Sequence, residues 1–129
     1  MKTKVIALAV LGTALTCSGG VAVGDDYLTT ERLRALFEVE RTVRWQAAKG
    51  GLRGVAHFRP DGNVQTSWNE PARSGSDAGR WRSLDGQFCI EYQNVHGGRE
   101  RCYRMKAVGP TELLAIGGEG SPAFTYFLD

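Results

Sequence analysis

The spacing of apolar residues changes once along the chain, from a helical period to an alternating one. Leu33, Leu36 and Phe37 recur at i, i+3 and i+4, which places them on one helical face. Thr29 ahead of them is suited to cap the first turn, Glu31 lies in that turn, and Leu28 can close over Leu33 as a hydrophobic staple. A helix is expected over residues 29–39, with Glu31, Arg32, Arg34, Glu38 and Glu40 as its solvated face. From Thr42 the period falls to two: Thr42-Val43-Arg44-Trp45-Gln46-Ala47 alternates until Lys49-Gly50-Gly51 interrupts it.

The rest reads as a meander of hairpins. Arg59-Pro60-Asp61-Gly62 is a turn with proline at its second position, which sets Phe58 opposite Val64, Ala56 opposite Thr66, and Gly54 opposite Trp68, where an indole can cover the gap left by glycine. His57 then falls opposite Gln65 on the polar face, as an exposed strand histidine. Asp85-Gly86 is a hairpin signal that puts Trp81 opposite Ile90 and Ser83 opposite Phe88 on one face, and Arg82 opposite Cys89 and Arg80 opposite Glu91 on the other. Further on, Leu114 is expected to meet Met105 and Ile116 to meet Tyr103. Runs near residues 42, 54, 64, 80, 87, 99, 111 and 123 give eight strands. The fold class is therefore mainly β: an up-and-down, calycin-like barrel or half-barrel with one N-terminal helix packed on it, a two-sheet sandwich being the alternative. The stretch 70–79, rich in Gly and Ser, is expected to be the longest loop, with Arg73 and Asp77 as candidate partner contacts.

The segment Phe88 to Met105 contains a cysteine on each of two alternating runs. Placing Cys89 opposite Cys102 puts Phe88 opposite Tyr103, Ile90 opposite Arg101, Tyr92 opposite Arg99, and Glu91 opposite Glu100. Arg80 on the neighbouring strand would offset the two like charges. The register agrees with the one set independently by Asp85-Gly86, so a structural disulfide Cys89–Cys102 is expected on the polar face. With Cys89, Cys102 and at most His96 there are too few ligands for a metal site, and no metal or cofactor is expected. Arg101 shares a face with Ile90, Phe88, Tyr103 and Met105, so it either snorkels past the sheet edge or turns inward to meet an anion.

The first residues change the compartment rather than the fold. Met1 to Lys4 is basic, residues 5–16 form a 12-residue apolar run, and small residues follow to Ala22, the layout of an export signal too short to span a bilayer. Residues 1–22 are expected to be removed, leaving a single domain over 23–129 that is periplasmic or secreted. The alternative is a lipoprotein signal over 1–16, with Cys17 acylated and the protein anchored to the outer membrane; Leu15 and Thr16 fit that pattern less well. Either route takes Cys17 out of thiol chemistry and leaves two cysteines in an oxidising compartment. The full chain of 129 residues carries a net charge of +2, and loss of Lys2 and Lys4 leaves the domain neutral, which argues against nucleic acid as a partner.

The segments LTTERLRALF, FRPDGNV, GRWRSLDGQFCIEY and RCYRM together resemble small exported proteobacterial proteins grouped as domains of unknown function. The resemblance implies an exported β domain and carries over no catalytic residue. The chain has no G-x-S-x-G, H-E-x-x-H or P-loop, and a non-catalytic, monomeric binding module is expected, an enzyme whose carboxylates converge only in the fold being a further alternative. One form is a protein-binding or accessory factor of the envelope using the 70–79 loop and the hairpin tip at His96. The other is a carrier of a small amphipathic or carboxylate ligand, in a cavity between helix and sheet lined by Trp45, Trp68, Trp81, Tyr103 and Met105 with Arg101 at its polar end. Residual interior volume discriminates the two.

Overall fold

The computed structural model describes residues 27–128; the expected export signal and Cys17 lie outside the described residues. Helix α1 spans Thr30–Phe37, and Thr29 caps it by accepting the Arg32 N–H at 3.2 Å. It is shorter than the expected 29–39, because Glu38 leaves helical geometry while its N–H still bonds the Arg34 carbonyl. Tyr27 and Leu28 tie the lead-in to the sheet: Tyr27 bridges to Lys106, and the Leu28 N–H donates to the Met105 carbonyl at 2.8 Å.

Eight strands follow, β1 (Arg41–Ala47), β2 (Arg53–Phe58), β3 (Asn63–Glu70), β4 (Arg73–Leu84), β5 (Gln87–Tyr92), β6 (Glu100–Gly109), β7 (Glu112–Ile116) and β8 (Pro122–Phe127). Each pairs antiparallel with the next, and β1 closes on β8, with Arg44 opposite Phe127 and Ala47 opposite Phe124. The result is a closed barrel, not a sandwich, although residues 73–77 of β4 pair with β3 alone.

The pairings read from Arg59-Pro60-Asp61-Gly62, Asp85-Gly86 and the two cysteines are present as expected from β2 through β6, except that the β5–β6 ladder stops at Glu91 and Glu100, short of Tyr92 and Arg99. Two other expectations fail. Residues 73–79 are not loop but the first half of β4, paired residue by residue with β3 from Glu70 opposite Arg73 onward; small residues break the alternation there because Gly75 and Gly79 face the interior. The β6–β7 register is also one residue away: Met105 faces Ala115 and Lys106 faces Leu114, because a bulge between Ala107 and Gly109 absorbs one residue. Leu113 and Ala115, rather than Leu114 and Ile116, are the buried pair.

α1 and the turns at 59–62, 85–86 and 110–111 lie at one end of the barrel. The Arg34 side chain donates to the Ser83 carbonyl at 3.2 Å, Arg41 to the Leu36 carbonyl at 2.7 Å, and the Gly86 N–H to the Thr30 hydroxyl at 2.6 Å. So pinned, the helix pushes Leu33 and Phe37, both fully buried, into the barrel. The Phe37 ring centroid lies 4.8 Å from that of Phe58, 4.7 Å from Phe88, 6.0 Å from Tyr126 and 6.1 Å from Trp81. Aromatic burial of this size dominates the stability of a small domain.

The Cys89–Cys102 disulfide is present on the outer face. It is more deeply covered than a polar face implies: Cys89 is fully buried, and the Glu100 carboxylate lies within 4.8 Å of both sulfurs. Arg82 grips that carboxylate with two nitrogens, at 2.6 and 2.8 Å. Arg82 thus supplies a counter-charge to Glu100 and Glu91, while Arg80 stands opposite Glu91 as expected. Those sulfurs are bonded to each other, so this cluster is not a metal site. Replacing both cysteines with serine is expected to cost about 2–4 kcal/mol, read as a lower urea midpoint; an unchanged midpoint would show that the bridge constrains nothing.

Candidate functional site

At the end of the barrel opposite α1, the turns at 48–52, 71–72, 93–99 and 117–121 surround a hollow of about 330 Å³. Its walls come from inward positions of five strands: Trp45, Trp68, Tyr92, Tyr103 and Phe124 ring it, with Tyr126 and Thr66 toward the plugged end and Arg101, His96 and Glu119 at the mouth. The volume is at the small end of the range of ligand cavities, roughly 300–1,000 Å³, and its lining is predominantly apolar, as such cavities are.

Two inward glycines make room for the indoles. Trp68 pairs across the sheet with both Gly54 and Gly75. A Cβ on Gly75 would meet three atoms of the Trp68 indole at 2.7–3.2 Å, so the ring lies directly against that strand. A Cβ on Gly54 would collide with the Ser67 carbonyl and the Trp45 ring. The two indoles meet edge to face, centroids 6.5 Å apart, and Tyr103 and Phe124 do the same at 4.9 Å on another wall.

Polar groups deep in the hollow satisfy one another. Trp45 Nε1 donates to the Thr66 hydroxyl at 2.8 Å, and that hydroxyl donates to the Val55 carbonyl at 3.0 Å. Tyr92 also bonds the Thr66 side chain. Burial pushes the Tyr92 and Tyr103 phenols upward, so both are neutral donors throughout the physiological range.

The mouth is shaped by Asp77. Only 8% exposed, its carboxylate accepts the backbone N–H of Asn94 at 3.0 Å, of Val95 at 2.7 Å and of Ala78 at 2.9 Å, plus the Asn94 side-chain amide at 3.3 Å. Burial pushes its pKa up, but these donors outweigh burial and hold the carboxyl below the ordinary aspartate value. Asp77 is therefore an anchor for the 93–98 segment, where His96 and two glycines turn left-handed, rather than the exposed partner contact expected of it. His96 sits over the mouth with Nδ1 3.5 Å from an Arg101 nitrogen. Burial, then Arg101 and Arg99, hold its pKa down, so the ring is neutral near pH 7 and faces the guanidinium with a lone pair.

Of the residues expected to line a ligand cavity, Trp45, Trp68, Tyr103 and Arg101 come together here. Trp81 and Met105 do not: both are packed into the solid end, so the hollow lies away from the helix instead of beneath it. Arg101 is neither buried nor directed away. Its guanidinium is exposed at the mouth, and among the described residues no carboxylate lies within ion-pair distance of it. Arg73, the first residue of β4, is exposed, with its guanidinium beside Gly50. Tyr92 and Phe124 were not singled out from sequence; their inward positions on strands neighbouring Arg101 and Trp45 were the available signal. His57, bonded to Thr42 at 2.7 Å and Glu40 at 2.8 Å, belongs to the outer face. A wider depression of about 880 Å³ on the outside of β3 to β5 has charged, mutually bonded walls, among them Arg80 to Asn63 at 3.3 Å. It lacks the apolar enclosure of the hollow.

No family model matches the chain, and neither does any curated protein or solved structure. The site is therefore read from its chemistry alone.

Substituting Asp77 with asparagine is expected to lower stability at neutral pH by about 2 kcal/mol, through lost charge-assisted hydrogen bonds. The carboxyl is depressed in the folded state, so its contribution is present above the ordinary aspartate pKa and lost as pH falls through the folded one. Wild type and variant should converge in urea midpoint on acidification toward pH 3. A constant gap down to that pH would contradict the anchoring role.

Proposed function

We propose that this protein is a non-catalytic carrier or receptor for a small amphipathic molecule, held in the open end of the barrel with its apolar part inside and an anionic group at the mouth. The observation that carries the reading is the 330 Å³ hollow walled by Trp45, Trp68, Tyr92, Tyr103 and Phe124, with the exposed guanidinium of Arg101, which meets no carboxylate among the described residues, at its rim. Apolar walls supply affinity, and a single charge at the entrance supplies orientation. Charge placement supports the same sign of ligand. The cup-end turns and their flanking residues carry Lys49, Arg53, Arg73, Arg99 and Arg101 against Glu70, Asp77 and Glu119, with Arg53 3.8 Å from Glu70 and Glu100 held by Arg82. A neutral domain thus presents a basic mouth, which favours encounter with anions.

Protein binding, the first expectation from the sequence, was placed on the 70–79 loop and the hairpin tip at His96. Residues 73–79 are paired with β3 and the 93–98 segment is bonded by Asp77, whereas the hollow supplies enclosed apolar walls, so the carrier reading is the better supported. An exported, periplasmic or secreted setting fits a disulfide-bonded carrier and is part of the proposal.

Filling the cup provides the test. Ala123 lines it from β8, and Ala123→Trp should occupy the space and leave the plugged core intact. Calorimetric titration with decanoate and with 1-naphthylacetate is expected to give one-site binding of at least one acid to the wild type. The folded variant should bind neither. Equal heats from both proteins would remove the cup from the account.

A further inference from the structure

The cup's walls and floor narrow the ligand further than its volume does. We propose that the ligand is a flat aromatic carboxylate, bound ring first between the aromatic walls with its carboxylate on Arg101; this rests on the cup being the binding site. Three observations lead to it.

The first is the posture of the indoles. With no side chain at Gly75, the Trp68 ring lies directly against that strand and lines the hollow from its wall. Trp45 stands edge to face with it, while Tyr103 and Phe124, themselves edge to face, form another wall. A planar ring fits these flat and edge-on surfaces with offset-stacked and T-shaped contacts worth more than the area alone. A flexible alkyl chain gains only the area and loses rotamer freedom on entry.

The second is the floor. Trp45 Nε1, the Thr66 hydroxyl and the Val55 carbonyl are bonded among themselves, with Tyr92 joined to Thr66. A ligand heteroatom reaching that depth would meet groups already satisfied and lose its own water. The apolar end therefore goes in, and the polar end stays at the mouth.

The third is the rim. Arg101 offers a planar fork of donors matched to a carboxylate, and its polar contact among the described residues is the long one to His96. Around it stand Arg99 and neutral His96, with Glu119 facing from the β7–β8 turn and Tyr103 below. Glu119 disfavours a second negative charge on the ligand, which points to a monoanion.

The test compares 1-naphthylacetate with its decahydro analogue, which has the same carbon skeleton and carboxylate without aromaticity, and with 1-naphthylmethylamine, which reverses the charge. Titrations monitored by calorimetry near neutral pH, in wild type, Arg101→Gln and Arg101→Lys, are expected to rank the aromatic acid first. Its saturated analogue should bind at least fivefold more weakly, and the amine should show no saturation. Arg101→Gln should weaken the aromatic acid about tenfold, with partial recovery in Arg101→Lys. If the saturated acid or decanoate binds as tightly as the aromatic one, the aromatic assignment is overturned while the carrier reading stands. If the amine binds equally, or Arg101→Gln changes nothing, the carboxylate assignment falls. Absence of binding by every acid overturns both.

Discussion

Insertion of Phe37 into one end of the barrel is the contact on which the remaining structure depends. An eight-strand barrel has an interior that its own side chains just fill, so where the filling sits decides whether any cavity is left. Thr29, Arg34, Arg41 and Thr30 fix the helix at that end, and Phe37 arrives within 5 Å of both Phe58 and Phe88. Trp81 and Met105 complete a buried, close-packed half. Among the described residues no equivalent element enters the other half, where Gly54 and Gly75 let the indoles retreat against the wall. The hollow is thus the complement of the plug.

Much of this architecture was legible in the sequence because turn chemistry and patterning agreed. Arg59-Pro60-Asp61-Gly62 and Asp85-Gly86 each fixed a register, and the cysteines repeated it on the next strand. What escaped had a physical cause in each case. Ser74 to Gly79 reads as loop because it is small and polar, yet those small residues are there to clear Trp68 and the crossing backbone at Tyr92. The bulge at Ala107 to Gly109 leaves no trace in the alternation, since consecutive residues there are apolar or small. Aromatic content showed that rings line the interior, but Trp45, Trp68 and Trp81 are equivalent in pattern. Only the position of the helix separates the two in the cup from the one in the core.

The functional surface follows the same logic of ends. A net charge near zero conceals a basic rim, because strand polarity in a meander brings alternate turns to one end. Asp77 illustrates how an ordinary carboxylate becomes architectural: four donors from three residues converge on it, so the 93–98 segment is held over the mouth and delivers His96 beside Arg101. Position at the sheet edge, rather than residue type, sets its role.

The three tryptophans allow one direct test of this division into a solid and a hollow end. The protein labelled with 5-fluorotryptophan gives three fluorine resonances, assignable by single Trp→Phe variants, and is titrated with 1-naphthylacetate and then decanoate. The acid that binds is expected to move the Trp45 and Trp68 resonances together and to leave Trp81 in place. A shift confined to Trp81, or no shift at any of the three with either acid, would contradict it.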